Sequence, residues 1–272
     1  MFEASSIRKF DGRYYFIYSS VQFHELCYAV SDQPLSGYTY GGTLVSNGDI
    51  GFEGAVKIGF RGKSSRMIKN YIGNNHGSLI KVGSRYYVFY HRHTNRHMSS
   101  RQACAEKIEM LADGSFRQAE LTSCGLNDGP LPGQGVYEAR TACHLMSAKG
   151  ALFSVHPMIQ NSRHPAFTQD GADRDENGDQ HISNMRDGSL AGFRYFDLKD
   201  LEQVTVTVRG RGQGKFLVKN SPEGRVLTEI PVRQAATWSK FAAPVIADNG
   251  PQALYFIYKG KGAVDLLNFE LQ

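Results

Sequence analysis

Apolar and polar residues alternate with period two through most of the chain, in short runs closed by Gly, Asp, Asn or Ser: RYYFIYSS, ELCYAVS, YTYGGTLVS, GSLIKV, RYYVFYH, VTVTVRG, KFLVKN, RVLTEIPV, ALYFIYK and VDLLNFEL. Alternation carried by aromatic and β-branched residues puts one face of each run on a core and the other toward water, as strands do. No convincing long segment repeats its apolar positions every 3.6 residues. The pattern predicts an all-β chain.

Two of these runs belong to a repeat. SIRKFDGRYYFIYS (6 to 19) and SLIKVGSRYYVFYH (78 to 91) align without a gap at an offset of 72 residues, pairing Ser6 with Ser78, Lys9 with Lys81, Arg13 with Arg85, Tyr14 with Tyr86, Tyr15 with Tyr87 and Tyr18 with Tyr90. Each copy reads as strand, two-residue turn and aromatic strand, the opening of a propeller blade. Two blades do not close a ring, which takes about four to eight. From 121 to about 165 the chain turns rich in Gly, Pro and Asn, and beyond DGSLAGFRYFDL it becomes alternating strands to the C-terminus, the pattern of a sandwich. The expected organisation is propeller blades over 1–125, a connector over 126–160 and a β-sandwich over 161–272.

Composition narrows the function classes. The 272 residues carry 31 Lys and Arg against 26 Asp and Glu, a net charge of +5 that is scattered rather than gathered, so nucleic-acid binding gains no support. No stretch reaches the roughly 18 to 20 apolar residues of a membrane span, and the first residues lack the pattern of a secretion signal. Cys27, Cys104, Cys124 and Cys143 form no CxxC pair or zinc pattern. Reduced, buried thiols are expected, a Cys124–Cys143 disulfide being the alternative, and reduced thiols point to a soluble, cytoplasmic protein, an extracellular one being the alternative if an N-terminal portion is missing.

Candidate chemistry gathers at the strand starts. The offset carries Ala4 onto His76 and Glu3 onto Asn75, so FEASS and NNHGS lead equivalently into innermost strands, which in a propeller line the central channel. A carboxylate there serves as a general acid if burial raises its affinity for a proton; otherwise Glu3 is a solvated terminal residue, and spacing alone favours the latter. His76 is either a ligand to a metal or water on the axis or a hydrogen-bonded strand-start histidine. YHRHTNRHMSSR gathers His91, Arg92, His93, Arg96, His97 and Arg101 in a pattern that fits no zinc site and reads as a polar rim or solvated loop. DRDENGD matches the opening of a calcium loop through Asp173, Asp175, Asn177 and Gly178, but its twelfth position is Asn184 rather than Glu. An exposed pair of Trp238 and Tyr195 would stack on sugar rings, while core packing explains both equally well. No GxSxG, HExxH, P-loop or dinucleotide fingerprint occurs.

FEASSIRKFDGRYYFIYSS, ELCYAVSDQPLSGYTYGGTLVSN, NNHGSLIKVGSRYYVFYHRHTN and CAEKIEMLADGSF together resemble the fourth and fifth blades of glycoside hydrolase family 43, five-bladed propellers that cleave arabinofuranosides and xylosides. The later segments, from FTQDGADRDENGDQHISNMRDGSLAGFRYFDL to ALYFIYKGKG, are similar to a family 6 carbohydrate-binding module. By this resemblance Glu3 matches the general acid, His76 the axial histidine that holds calcium or its water, and Arg92 a substrate-contacting arginine. No organic cofactor is implied. The partner implied is an arabinose- or xylose-containing oligosaccharide.

Family members invert, pairing the acid with a carboxylate base about 6.5 to 9.5 Å away across the sugar. The base belongs to earlier blades, so the expectation is a C-terminal portion of such an enzyme, inactive alone and able to associate with a separate N-terminal propeller fragment. The alternative is a carbohydrate-binding module attached to a non-catalytic propeller remnant.

Overall fold

The structure, a computed structural model, describes residues 3–21, 24–51, 75–95, 97–150, 164–172 and 178–272. The first repeat copy and the strands after it form an antiparallel meander of β1 (Glu3–Phe10), β2 (Arg13–Ser19), β3 (Leu26–Ser31) and β4 (Thr39–Val45). The second copy builds β5 (Ser78–Val82) and β6 (Arg85–Thr94), which β7 (His97–Ile108) joins as a second meander. Both hairpin turns have the mirror-image geometry that suits the twist of paired strands. Asp11 and Gly12 take φ of 47° and 88°, both positive as a type I′ turn needs, and Gly83 takes 60°.

The two meanders share one core, and they enter it with opposite faces. In the first copy Tyr15 and Ile17 are buried; in the second it is Tyr86, Val88 and Tyr90. Phe116, reached after β7, presents its ring edge-on to Phe10, Tyr15, Tyr28 and Tyr86. This is how neighbouring propeller blades stack.

A sandwich occupies the rest. One sheet runs in the order β10 (His144–Met146), β13 (Leu190–Leu198), β18 (Gly250–Lys261), β15 (Gln213–Lys219) and β16 (Val226–Val232), with β8 (Leu131–Pro132) parallel to β13. The other runs β11 (Ala166–Gln169), β12 (Gln180–Met185), β19 (Val264–Leu271), β14 (Gln203–Gly210) and β17 (Ala235–Pro244), with β9 (Gly135–Glu138) also on β19. Between them lie Phe193, Phe216, Phe256 and Phe269, Phe269 stacking at 4.7 Å from both Phe193 and Phe256. The segment expected as a connector therefore supplies β8, β9 and β10 to the two sheets. Each has only 2 to 4 residues, too few to show alternation in a Gly- and Pro-rich stretch.

Blades and sandwich meet along a seam of exchanged arginines. Arg92, from β6, lays its guanidinium 3.6 Å from the ring centre of Phe167 and donates to the Ala142 and Arg140 carbonyls, and its Nε donates to Gln102 at 3.0 Å. Arg194, from β13, reaches the opposite way. Only 2% exposed, it donates through Nη2 to the Leu121 carbonyl at 2.6 Å and approaches Glu120 at 3.3 Å. Cys124 and Cys143 are not joined by a disulfide: their thiols donate instead to the Arg194 and Gly192 carbonyls, at 3.6 and 3.4 Å.

Glu106, on β7, is sealed in near this seam. It accepts from the Thr122 amide and hydroxyl, both at 2.7 Å, and from Tyr90 at 3.3 Å. Burial outweighs those hydrogen bonds and the Arg194 charge and pushes its carboxyl from about 4.5 up to about 8. The folded chain thus keeps a proton that the unfolded chain releases. The group's stabilising contribution is full below about 4.5 and is lost as pH rises through about 8. Glu106→Gln, which stays neutral and can still hydrogen-bond, is expected to remove that part of the pH dependence. Urea midpoints compared on the acid and alkaline sides of this window check it: the parent loses stability across the window and the variant loses less.

Candidate active site

The two innermost strands lie side by side. The repeat partners Ser6 and Ser78 meet directly, hydroxyl to hydroxyl at 2.9 Å, and Arg8 Nε donates to the Leu79 carbonyl at 3.1 Å. Ahead of Ser6 the pairing of β1 with β2 shifts register between Glu3 and Ser6, and Ala4 takes a φ of 55°. A left-handed conformation costs an alanine roughly 1–2 kcal/mol. Such strain concentrates where a side chain has to be aimed. The carboxylate so aimed is Glu3, whose Oε1 lies 2.7 Å from His76 Nε2.

His76 is held mainly through its backbone. Its amide donates to His91 Nδ1 at 3.3 Å, while the fully buried Asn75 accepts the His91 amide through Oδ1, also at 3.3 Å. Asn47 Nδ2 donates to the His91 carbonyl at 3.0 Å. A neutral His91 that accepts at Nδ1 carries its proton on Nε2. Gly77 lets the chain pass: a Cβ there would lie 1.8 Å from the Phe89 carbonyl oxygen. The His76 and His91 rings meet edge to face at 5.1 Å.

His24, from the turn between β2 and β3, completes the group. Burial lowers its imidazole below the ordinary value, the Glu3 charge opposes that shift and His76 adds to it. The Glu3 side chain is 39% exposed and that of His76 26%. A carboxyl anchored at one oxygen by an imidazole, and open to solvent beside it, has the arrangement needed to pass a proton to a bound leaving group.

The donors around His76 suit calcium poorly. Calcium takes six to eight oxygen ligands. Among the described residues the side chains found beside His76 are imidazoles and one carboxylate, and no group of three or more His, Cys, Asp and Glu side chains could hold a metal ion. Asp173, Asp175 and Asn177 of the calcium-like run lie outside the described residues. Asn184 sits in β12, its side chain donating to the His164 carbonyl at 3.2 Å.

Arg92, expected at substrate, is instead 8% exposed in the seam. Over its described residues the run around it is strand rather than loop: 90–94 end β6, 97–101 begin β7, and Asn95 donates its amide to the Phe167 carbonyl at 2.8 Å, while Arg96 lies outside the described residues. Tyr195 and Trp238 do not pair, because β13 and β17 belong to opposite sheets. The Tyr195 hydroxyl donates to Glu120 at 2.6 Å, and the Trp238 ring is covered by the Arg209 guanidinium at 4.1 Å. Asp170 holds that guanidinium at 2.6 and 2.7 Å, and His181 meets the Trp238 ring edge-on. Sequence reasoning missed His24 and the supporting roles of Asn75 and His91. Only the position of Asn75 opposite Glu3 in the repeat hinted at them.

No family model matches the chain. It is 46% identical over 271 residues to a xylosidase/arabinosidase of Thermoclostridium stercorarium, taking in 99% of this chain and 56% of that protein. An arabinoxylan arabinofuranohydrolase of Paenibacillus polymyxa is 24% identical over 288 residues, covering 99% of this chain and 41% of that one. Among solved structures, a glycoside hydrolase family 43 arabinoxylan arabinofuranohydrolase from Bacillus subtilis, in complex with cellotetraose, superposes with a TM-score of 0.51 at 20% identity. That match covers 100% of this chain and 54% of the other. The chain thus spans about half the length of the relatives it matches. The solved structure shares its all-β fold, propeller blades followed by a sandwich.

Arg92→Ala removes a guanidinium from two carbonyls and an aromatic face. It is expected to cost about 3 kcal/mol of unfolding free energy, measured by denaturant titration. A substrate-contacting Arg92 would instead leave stability unchanged.

Proposed function

We propose that the chain supplies the acid side of a family 43-type glycosidase acting on α-L-arabinofuranosyl or β-D-xylosyl linkages of plant polysaccharide. The observation that carries this reading is the 2.7 Å contact between Glu3 and His76 at the starts of the innermost strands of two stacked blades. It is supported by the 46% identity to a xylosidase/arabinosidase.

In this reading Glu3 donates its proton to the departing glycosidic oxygen as the bond to the anomeric carbon breaks. His76 engages Oε1 and so orients Oε2 toward the leaving group. Inversion requires a carboxylate base on the far side of the sugar, about 6.5 to 9.5 Å from the acid. We assign that base to the portion of the longer relatives that this chain does not span, so the chain by itself turns over no glycoside. Neutral arabinose- and xylose-containing oligosaccharides are the ligands this reading assigns to the site.

Fusing the chain to the portion of the T. stercorarium relative that it does not span is expected to produce turnover of nitrophenyl arabinofuranoside or xyloside. In that fusion Glu3→Gln is expected to lower kcat by roughly 10²- to 10⁴-fold, the usual worth of a general acid. The loss should be larger for xylo-oligosaccharides, whose leaving alcohol needs the proton, than for a dinitrophenyl glycoside, whose leaving group does not. Equal losses on both substrates, or turnover by the unfused chain that Glu3→Gln abolishes, would overturn the assignment of the acid or of the missing base respectively.

A further inference from the structure

On the sandwich, β12 and β9 pair end to end along one edge of β19. Ile182 lies opposite Leu266 and Met185 opposite Val264, whereas Glu138 lies opposite Asn268 and Gly135 opposite Leu271. Leu267 falls between the two runs without a registered partner in either. It is also the residue that the β14 ladder skips, between Leu266 opposite Val208 and Asn268 opposite Thr207. The break in the sheet opens a cleft of about 330 Å³ with Leu267 and Asn268 as its floor and Glu138, Arg140, Asp179 and Gln180 as its walls. That volume is at the small end of the roughly 300–1,000 Å³ of ligand pockets.

The walls are held in place before any ligand arrives. Arg140 donates through Nη1 to Gln180 Oε1 at 3.1 Å and through Nε to the Glu138 carboxylate, so one guanidinium ties the β9 side to the β12 side. The Arg140 carbonyl is one of the two that Arg92 engages, which anchors this wall to the seam. Behind Asp179, Gly178 packs so closely that a Cβ would come within 2.6 Å of the Asp170 carbonyl oxygen. Preorganised walls of this kind reduce the ordering cost of binding.

The chemistry of the lining selects its ligand. Carboxylates accept, the guanidinium donates, and the amides of Gln180 and Asn268 do both, a set that matches hydroxyl groups. Leu267 offers one apolar patch for the CH face of a ring. Two carboxylates against one guanidinium leave the cleft one negative charge, which disfavours a uronic acid and accepts a neutral ring. We infer that this cleft is a saccharide subsite taking a neutral sugar unit of a glycan chain, distinct from the Glu3 and His76 site. The ligand class rests on the glycosidase reading; the cleft does not.

The test is a titration of the full chain with xylotetraose, followed by amide NMR, with trigalacturonic acid as the acidic comparison. Saturable shifts are expected at Gln180, Leu267 and Asn268, with little response to trigalacturonic acid. Gln180→Ala should weaken xylotetraose by roughly three- to tenfold, the loss of one neutral hydrogen bond, and Trp238→Ala should leave it unchanged. Asp179→Lys, on the exposed rim, reverses the local charge and should admit trigalacturonic acid, a gain that a folding defect cannot mimic. Absent or non-saturable shifts at the cleft, equal binding of both probes by the parent, or unchanged affinity in both cleft variants would overturn the inference. Cleft binding without a Glu3-dependent activity in the fusion would remove the glycosidase reading alone, and the converse would remove the cleft alone.

Discussion

The structure depends on two guanidiniums buried in opposite directions across one seam. Arg92 crosses from blade to sandwich and Arg194 from sandwich to blade, and what both find there is mostly backbone carbonyl. A carbonyl offers an arginine a direction but little countercharge. The seam therefore fixes geometry more than it adds stability, as buried charge commonly does. The Phe167 face under Arg92 and the partly exposed Glu120 beside Arg194 recover part of the desolvation cost. Glu106 adds no fixed countercharge near neutrality, since burial holds its proton on.

That geometry reaches the candidate site through one strand. Along β6 successive side chains point to opposite sides, so Arg92 enters the seam while His91 and His93, whose rings are 5.9 Å apart, share the other face. His91 in turn accepts the amide of His76, and His76 engages Glu3. Sandwich, seam, strand and carboxylate thus form one chain of direct contacts. A second blade that shifted against the first would carry His91, and with it His76, away from Glu3. The Asn95 amide bonded to the Phe167 carbonyl secures the far end of the same strand.

Much of the fold was legible because period-two alternation has one structural meaning and because the repeat showed itself in six identical pairs. The repeat nonetheless hid the faces. Tyr15 aligns with Tyr87, yet Tyr15 is buried and its counterpart in the shared core is Tyr86. Adjacent blades stack with opposite faces, so equivalent residues in consecutive copies must alternate between the core they share and the sides they do not. Sequence identity between copies reports the blade; burial reports its neighbour. For the same reason β8, β9 and β10 were invisible: they are strands only because β13 and β19 offer them edges.

The candidate site divided along a similar line. Glu3 and His76 were found because both stand at the start of a repeated strand, a position that topology brings to one place whatever the side chain. Tyr195 and Trp238 were singled out by residue type and Arg92 by the family resemblance, and neither says what covers a group. Arg92 is covered by Phe167, the Tyr195 hydroxyl is bonded to Glu120, and Trp238 carries Arg209 on its face. An arginine or aromatic ring that suits a sugar suits a buried interface equally, since both reward a flat surface with hydrogen bonds at its rim. What separates the two uses is whether the protein itself supplies the partner, and in this fold the seam and the sandwich face supply it for all three.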